Sequence, residues 1–365
     1  MLKITNLSKS YYADAGEVHA VRGIDFEVKE GSFFTLLGPS GCGKTTTLRC
    51  VAGLEKPDSG EIMIDDQVVV SSAGKIFVPP YQREIAMVFQ SYAIWPHMNV
   101  YDNVAFPLTQ IKSLTRKKIA EKVKKALSMV QLDGLEKRPA PQLSGGQQQR
   151  LALARALAKE PKLILLDEPL SNLDAKLREE MRFEIKKLLR SLHMTALYVT
   201  HDQQEALVLS DLIAVMLEGK IIEINAPKEI YNNPRNAFSA GFIGTNNFFK
   251  GRVCDDHVGG QNTIVETQVG KVACFMSAGA SSGDKVILAI RPEDIQIHNN
   301  KPDAVTNVLE AKIQDIAFLG DIVDCRVVVK EKIVNVRLTH KTELREGETI
   351  FVELPSESLQ LLPYY

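Results

Sequence analysis

A glycine-rich segment near the start of the chain carries the residue types that bind nucleotide phosphates. Residues 38–46 read Gly-Pro-Ser-Gly-Cys-Gly-Lys-Thr-Thr and match the pattern G-x-x-x-x-G-K-S/T at every fixed position. Glycines let the backbone curl so that its N–H groups point at phosphate oxygens. Lys44 can reach the β- and γ-phosphates, and the Thr45 hydroxyl can ligate Mg²⁺. The predicted phosphate-binding residues are Gly38, Ser40, Gly41, Cys42, Gly43, Lys44, Thr45 and Thr46.

Two acidic residues follow an apolar run in the middle of the chain. Residues 163–169 read Leu-Ile-Leu-Leu-Asp-Glu-Pro, which is typical of a buried strand that ends in carboxylates. Ligands of open α/β sheets bind at the carboxyl ends of the strands. Asp167 is expected to hold Mg²⁺, in part through water, and Glu168 to orient and polarise an attacking water. Two solvated acids at a strand end are the alternative, which the phosphate loop upstream disfavours.

A second glycine pair lies between the phosphate loop and these acids. Residues 143–150 read Leu-Ser-Gly-Gly-Gln-Gln-Gln-Arg. Ser144 is a favourable helix N-cap, and the two glycines after it leave backbone N–H groups bare at the positive end of the helix dipole. Such an end binds anions, although the segment alone is also compatible with an ordinary capped helix.

The elements that must position these residues alternate between strands and helices. Residues 33–37 predict a strand before the phosphate loop, and residues 45–52 predict a helix that ends at Gly53. Further on, helices are expected from about residue 115, over 146–159 and over 174–192, with strands over 163–166 and 196–200. This alternation predicts a largely parallel α/β sheet.

The composition of the sequence changes near residues 232–236, which read Asn-Asn-Pro-Arg-Asn. Beyond this segment, short β-rich runs are separated by Gly and Asn, which indicates one or two small barrels. We therefore expect one domain over residues 1–239, which contains the phosphate loop, and a second, all-β domain over residues 240–365.

Composition limits the class of protein. The 365 residues are 45% hydrophobic and 24% charged, as in ordinary globular proteins, and the net charge of −1 argues against general attraction to nucleic acid. Five scattered cysteines indicate reduced thiols rather than a disulfide framework. No apolar run approaches the 18 residues that span a bilayer, and no signal core is expected at the N-terminus.

The order of the motifs resembles that of ATP-binding-cassette ATPases over the first 235 residues or so. Residues 38–46 resemble the Walker A motif, 143–150 the signature, 163–168 the Walker B motif and 171–174 the D-loop. The resemblance implies an α/β P-loop cassette with an N-terminal antiparallel β subdomain and an inserted helical subdomain at about residues 91–160. It also implies ATP and Mg²⁺ as the bound groups.

The resemblance assigns further residues to this site. Gln90 is similar to the Q-loop glutamine, and His201 is similar to the switch histidine that contacts the γ-phosphate. Tyr11 is similar to the aromatic residue that stacks on adenine, with Tyr12 as the alternative. The family also implies a head-to-tail homodimer in which each ATP is shared between protomers. The implied catalytic residues are Glu168, His201 and Gln90, the metal site is Thr45, Gln90 and Asp167, and the residues acting across the dimer are Ser144, Gly145, Gly146 and Gln147.

Two segments favour an importer. Residues 90–104 are rich in aromatic, Met and His residues, which suits the surface that receives a membrane subunit in transporter ATPases, although core packing is the alternative for some of them. Residues 291–295, Arg-Pro-Glu-Asp-Ile, resemble a signature of the OB-like TOBE domain of importer ATPases. This implies a peripheral subunit on the cytoplasmic face of the inner membrane, bound to two permeases and served indirectly by a solute-binding protein, with no nucleic acid.

The sequence leaves alternatives open for the transported cargo and for the class of cassette ATPase. Residues 92–98 lean toward the ferric iron, polyamine and phosphonate branch, with a sugar importer as the alternative. A cassette ATPase acting on ribosomes or DNA is less favoured, because the chain has one cassette and no sustained heptads between its Walker motifs. An exporter is also less favoured, since fused membrane spans are not seen in the sequence.

Overall fold

The computed structural model describes residues 1–13, 16–258, 262–275, 281–302 and 306–364. The chain forms two compact units, Met1–Lys228 and Glu229–Tyr365. The border expected between residues 239 and 240 stays a prediction. Within the described ranges, no helix is both long and apolar enough to cross a membrane.

The first unit contains eleven strands, six α-helices and two short 3-10 helices, Pro80–Gln82 and Ala140–Gln142, in its described residues. The strands are β1 (Leu2–Ala13), β2 (Gly16–Val28), β3 (Phe33–Leu37), β4 (Ser59–Ile64), β5 (Gln67–Ser71), β6 (Ile76–Phe77), β7 (Ile85–Val88), β8 (Leu163–Asp167), β9 (Thr195–Thr200), β10 (Leu212–Leu217) and β11 (Lys220–Asn225). The helices are α1 (Lys44–Ala52), α2 (Val100–Thr109), α3 (Arg116–Met129), α4 (Gly145–Leu157), α5 (Ala175–Ser191) and α6 (Gln203–Leu209).

A six-stranded sheet forms the centre of this unit, in the order β11-β10-β3-β9-β8-β7. The five strands from β10 to β7 are parallel, and β11 is antiparallel to β10. Every residue of β3, β8 and β9 is buried, as expected for parallel strands covered on both faces. Successive side chains of β8 serve opposite faces: Ile164 packs into one core, and Leu165 packs into the other.

Each face of the central sheet has its own cover. Helix α1 and the antiparallel sheet β2-β1-β4-β5-β6 share one core with it. Helices α2 to α5 share the other. The α/β cassette with an antiparallel β part and a helical part, predicted from the sequence, is confirmed.

The second unit is built mainly from strands, also as predicted. Its α-helices are α7 (Pro227–Asn232), which begins in the first unit, and α8 (Ala237–Phe242), and a 3-10 helix covers Pro292–Asp294. Its strands are β12 (Asn247–Val258), β13 (Asn262–Thr267), β14 (Gly270–Phe275), β15 (Lys285–Ile290), β16 (Gln296–His298), β17 (Val308–Phe318), β18 (Ile322–Val329), β19 (Lys332–Thr339), β20 (Thr349–Glu353) and β21 (Gln360–Pro363). They form two five-stranded antiparallel sheets, β14-β13-β12-β15-β21 and β16-β20-β17-β18-β19, which share one apolar core.

Candidate active site

The phosphate loop lies between the end of β3 and the start of α1. Lys44 is the first residue of α1 and is only 4% exposed. Its Nζ donates to the carbonyl oxygens of Gly38 at 2.8 Å and Pro39 at 2.9 Å, so the side chain lies back along the loop. Its third donor faces Cys42 Sγ at 3.7 Å, a weak acceptor that a phosphate oxygen can replace.

Two glycines of the loop are required by close packing. A Cβ atom on Gly38 would stand 2.3 Å from the carbonyl oxygen of Met216, and one on Gly43 would stand 2.1 Å from that of Ala20. Gly43 also has φ of 101°, which side chains with a Cβ rarely adopt. The loop therefore keeps its curled backbone only with glycine at both positions.

Thr45 and Asp167 meet beside this loop. The Thr45 hydroxyl donates to Asp167 Oδ1 at 3.1 Å. Burial raises the pKa of the Asp167 carboxyl, and the bond from Thr45 opposes that rise. A hydroxyl and a carboxylate are ligands that Mg²⁺ accepts, usually together with substrate phosphates and water. No group of three or more His, Cys, Asp or Glu side chains suited to a metal occurs in the described ranges.

Glu168, Gln90 and His201 come together at the carboxyl edge of the parallel strands. Leu166 pairs with Val88 of β7, and Asp167 pairs with Val199 of β9, so the residues that follow these strands lie at the same level. Glu168 Oε2 lies 3.0 Å from His201 Nδ1 and accepts from Gln90 Nε2 at 3.5 Å. The structure thus brings all three predicted catalytic side chains into contact.

The backbone at Glu168 is unusual. Its φ is 43°, in the left-handed region, and its N–H donates to the carbonyl of Val199 at 2.9 Å. A left-handed non-glycine residue costs on the order of 1–3 kcal/mol and tends to occur at functional sites. The turn directs the Glu168 carboxylate toward His201, whereas the carboxylate of Asp167, one residue earlier, accepts from Thr45.

Residues after Glu168 connect the loops of the site. The Asn172 side chain donates to the carbonyl of Gln90 at 2.8 Å. Arg178 of α5 donates to the carbonyl of Leu173 at 3.0 Å and reaches Asp202 Oδ2 at 3.5 Å. Sequence reasoning did not single out Arg178, because one basic residue on an amphipathic helix carries no visible signal.

Ser144 begins α4 with a capping box. Its hydroxyl accepts from the N–H of Gln147, and the Gln147 side chain accepts from the Ser144 N–H at 3.0 Å. Ser144 and Gly145 are exposed, whereas Gly146 is buried, and a Cβ on it would stand 3.1 Å from Leu177. Among the bonds of the described residues, none joins this helix end to the phosphate loop, and its action across a dimer stays a prediction.

The two candidate adenine-stacking residues lie on β1. Tyr11 is 37% exposed and Tyr12 is 84% exposed. Lys9 Nζ lies 5.3 Å from the centre of the Tyr11 ring. Neither tyrosine contacts the phosphate loop through any bond of the described residues, so the choice between them stays a prediction.

Comparisons with known proteins extend these observations. A family model described as "ABC transporter" matches residues 21–171, and one described as "TOBE domain" matches residues 288–362. The chain is 41% identical to the spermidine/putrescine import ATP-binding protein PotA of Clostridium acetobutylicum, over 99% of this chain and 96% of that protein. It is 44% identical to the trehalose/maltose import ATP-binding protein MalK of Thermococcus litoralis, over 92% and 87% of the two chains.

Solved structures agree with this result. One is the dimeric structure of a post-hydrolysis state of the ATP-binding cassette MJ0796 bound to ADP and Pi, with a TM-score of 0.54 and 32% identity over 62% of this chain and 99% of that one. Full-length relatives, the two family models and the cassette fold point to one assignment. The chain belongs to the ABC transporter family and is an ATPase of the importer type with a C-terminal TOBE domain.

Proposed function

We propose that this chain hydrolyses ATP to drive uptake of a polyamine, with Glu168 as the general base. The observation that carries the catalytic part is the Glu168 carboxylate, contacted by His201 and Gln90 beside the Thr45–Asp167 pair. Glu168 takes a proton from the attacking water, whose oxygen bonds to the γ-phosphorus. The bond from that phosphorus to the bridging oxygen breaks, and ADP leaves.

Other residues bind and orient the triphosphate. Lys44 and the N–H groups of the loop contact phosphate oxygens, and His201 contacts the γ-phosphate. Thr45 and Asp167, with Gln90, would hold Mg²⁺, which neutralises phosphate charge when it is bound. The oxygen chemistry of this set fits that ion, and burial of Asp167 makes a cation favourable there.

The assembly that we propose is a homodimer on the cytoplasmic face of the inner membrane. One protomer's Ser144, Gly145, Gly146 and Gln147 complete the ATP site of the other. The exposure of Ser144 and Gly145 at a helix start supports this role, because bare N–H groups there attract anions. Two permease subunits would bind the dimer, and a solute-binding protein would deliver the cargo to them.

Replacement of Glu168 tests the catalytic assignment. We expect Glu168→Gln to lower turnover by roughly 10²–10⁴-fold, the range for loss of a general base, with ATP binding retained. Glu218→Gln is the matched control, because Glu218 is exposed and also has a left-handed backbone, with φ of 47°. Phosphate release and ATP titration give the two readouts, and light scattering detects an ATP-stabilised dimer of Glu168→Gln. Normal turnover by Glu168→Gln contradicts the assignment.

The cargo needs a separate experiment. The polyamine relative is matched over nearly its whole length, which supports a polyamine, and the sugar relative supports trehalose or maltose as the second candidate. The leaning toward ferric iron or phosphonate finds no support in these relatives. The tagged chain can be extracted from its native membrane, and copurified proteins identified by mass spectrometry. The recovered binding protein is then titrated with spermidine, putrescine, maltose and trehalose; polyamine binding is expected, and binding of sugar alone overturns the cargo proposal.

A further inference from the structure

A buried carboxylate lies directly behind the candidate site. Glu205 on α6 is 2% exposed, and none of the roles assigned above involves it. Two hydroxyl groups donate to its Oε2 atom: that of Tyr198 at 2.8 Å and that of Thr200 at 2.6 Å. Burial of a charged group is costly unless it is paired or hydrogen-bonded, so this carboxylate needs an explanation.

Glu205 forms no ion pair in the part of the chain that the structure describes. Burial raises the pKa of its carboxyl group, and the two hydroxyl bonds oppose that rise. A leucine or methionine would fill the same space without that cost. Packing alone therefore does not explain why this position is a glutamate, and the explanation has to come from the hydrogen bonds that its carboxylate accepts.

The bonds of Glu205 bracket His201. Thr200 donates its hydroxyl proton to Glu205, and the same Thr200 oxygen accepts from the N–H of Asp202 at 3.0 Å. Asp202 Oδ1 in turn accepts from the N–H of Glu205 at 3.1 Å. The Glu205 carboxylate is thus bonded directly to Thr200 and reaches Asp202 through the Thr200 hydroxyl, whereas the Asp202 side chain caps α6 by accepting from the backbone N–H groups of Gln204 and Glu205.

His201 needs such support because its own side chain is largely free of packing. The side chain is 54% exposed, and its Nδ1 contacts Glu168 Oε2 at 3.0 Å. The position of the imidazole consequently depends on the backbone that carries it. Misplacement of a reacting group by about 1 Å can cost on the order of 10²-fold in rate.

We propose that Glu205 is a positioning residue, which holds His201 against Glu168 through Thr200 and Asp202. The proposal rests on the role proposed above for His201. It differs from a purely structural role in one respect. Loss of the Thr200 hydroxyl, which lies next to His201 in the chain, should lower turnover, whereas loss of the Tyr198 hydroxyl should lower it much less.

A pair of variants separates the two hydroxyls. Thr200→Val and Tyr198→Phe each remove one donor from the same Glu205 oxygen, and each nearly keeps the shape of the side chain. We expect Thr200→Val to lower kcat by about tenfold or more at unchanged KM for ATP, and Tyr198→Phe to change kcat by less than about threefold. Equal effects of the two variants on kcat overturn the proposal.

A spectroscopic measurement reports on the His201 ring without activity. The chain has seven histidines, so ¹³C-labelled histidine gives few ring signals, and His201→Ala identifies the one sought. Glu205→Ala should shift or broaden that signal and lower kcat by about 10²-fold, whereas Glu205→Gln, which keeps an acceptor oxygen, should restore part of both. Glu223→Gln is the control, because Glu223 is another buried glutamate of the same unit.

The outcomes distinguish the two proposals. An unmoved His201 signal in Glu205→Ala, with His201→Ala inactive, overturns the positioning role and leaves the proposed function intact. Full turnover by His201→Ala overturns the role of His201 itself. If Glu205→Ala does not fold, Thr200→Val and Tyr198→Phe still decide, since each removes only one hydroxyl.

Discussion

Two glycines of the phosphate loop allow the free-energy cost of a left-handed backbone to be measured separately from the cost of a steric collision. Gly41 and Gly43 both have positive φ, 80° and 101°. A Cβ on Gly41 would meet nothing within 4 Å, but one on Gly43 would stand 2.1 Å from the carbonyl oxygen of Ala20 in β2. Alanine at either position carries backbone strain, and only alanine at 43 also collides with a neighbouring strand.

The expected losses follow from these two terms. A left-handed residue with a Cβ costs about 1–2 kcal/mol, which is the whole penalty for Gly41→Ala. Overpacking adds about 1–3 kcal/mol, so Gly43→Ala should lose about 2–5 kcal/mol in all. The upper part of that range is expected, because the nearest atom to a Cβ on Gly43 is the backbone oxygen of Ala20, which cannot swing aside as a side chain can. In a unit of this size, each kcal/mol lowers Tm by about 2–4 °C.

Thermal unfolding and ATP titration measure the two consequences. Gly43→Ala should also weaken ATP binding more than Gly41→Ala, since relief of the collision moves the N–H groups of the proposed phosphate site. Equal losses of Tm and of ATP affinity in the two variants would refute the argument that the contact with Ala20 fixes the loop.

Three further predictions concern single side chains. Lys44→Ala should weaken ATP binding by about 10- to 100-fold, as loss of a charge-assisted bond implies, while the exposed Lys56→Ala binds normally in the same titration. Burial raises the pKa of Glu205 above its usual value, so its ionisation costs stability as pH rises through that pKa. The Tm of Glu205→Gln minus the Tm of the parent should therefore increase from about pH 4 to about pH 7. A Tm difference that stays constant over this range contradicts the reasoning. Arg291→Ala should lower the stability of the second unit by on the order of 3 kcal/mol, because buried carbonyls lose their donor, whereas the exposed Arg345→Ala should change it little in the same melt.

The parts of the site that the sequence predicted are those whose chemistry dictates a residue type at a fixed spacing. The phosphate loop needs its glycines and Lys44 within a few residues of one another, and an apolar strand that ends in Asp167 and Glu168 is readable by itself. Parallel strands then bring their carboxyl ends to one edge, so the meeting of Glu168 with His201 follows from the order of elements. Local sequence pattern and strand topology together were sufficient to place Glu168 and His201 at one edge of the sheet.

Residues that act through long-range contacts could not be predicted in this way. Arg83 is buried and donates to the carbonyls of Cys50 and Val51 at the end of α1, about thirty positions away in the chain. Arg155 of α4 donates to the carbonyl oxygens of Tyr92 and Ala93, both of which have positive φ. A lone arginine in a sequence looks like a solvated charge, because its partners are backbone oxygens, which every residue has.

The segment at residues 90–104 shows why both interpretations of it had support. Trp95 packs against Phe106, with ring centres 4.6 Å apart, and the Arg155 guanidinium lies 4.8 Å from the Trp95 ring. The buried Asn103 side chain donates to the carbonyl of Asn99 and accepts from the N–H of Trp95. Part of the segment is therefore fixed from within, and the polar groups that fix it are backbone and amide groups that a hydrophobicity pattern does not reveal.

The turn at Glu168 explains how one strand end serves two tasks. Successive side chains of a strand point to opposite faces, so Asp167 and Glu168 could not both reach the site if β8 continued straight. The strand ends at Asp167, which bonds to Thr45, and the left-handed φ of Glu168 redirects the next carboxylate toward Gln90 and His201. The backbone strain at this residue is thus the cost of placing the Asp167 and Glu168 carboxylates side by side, which the metal-binding and general-base roles proposed above require.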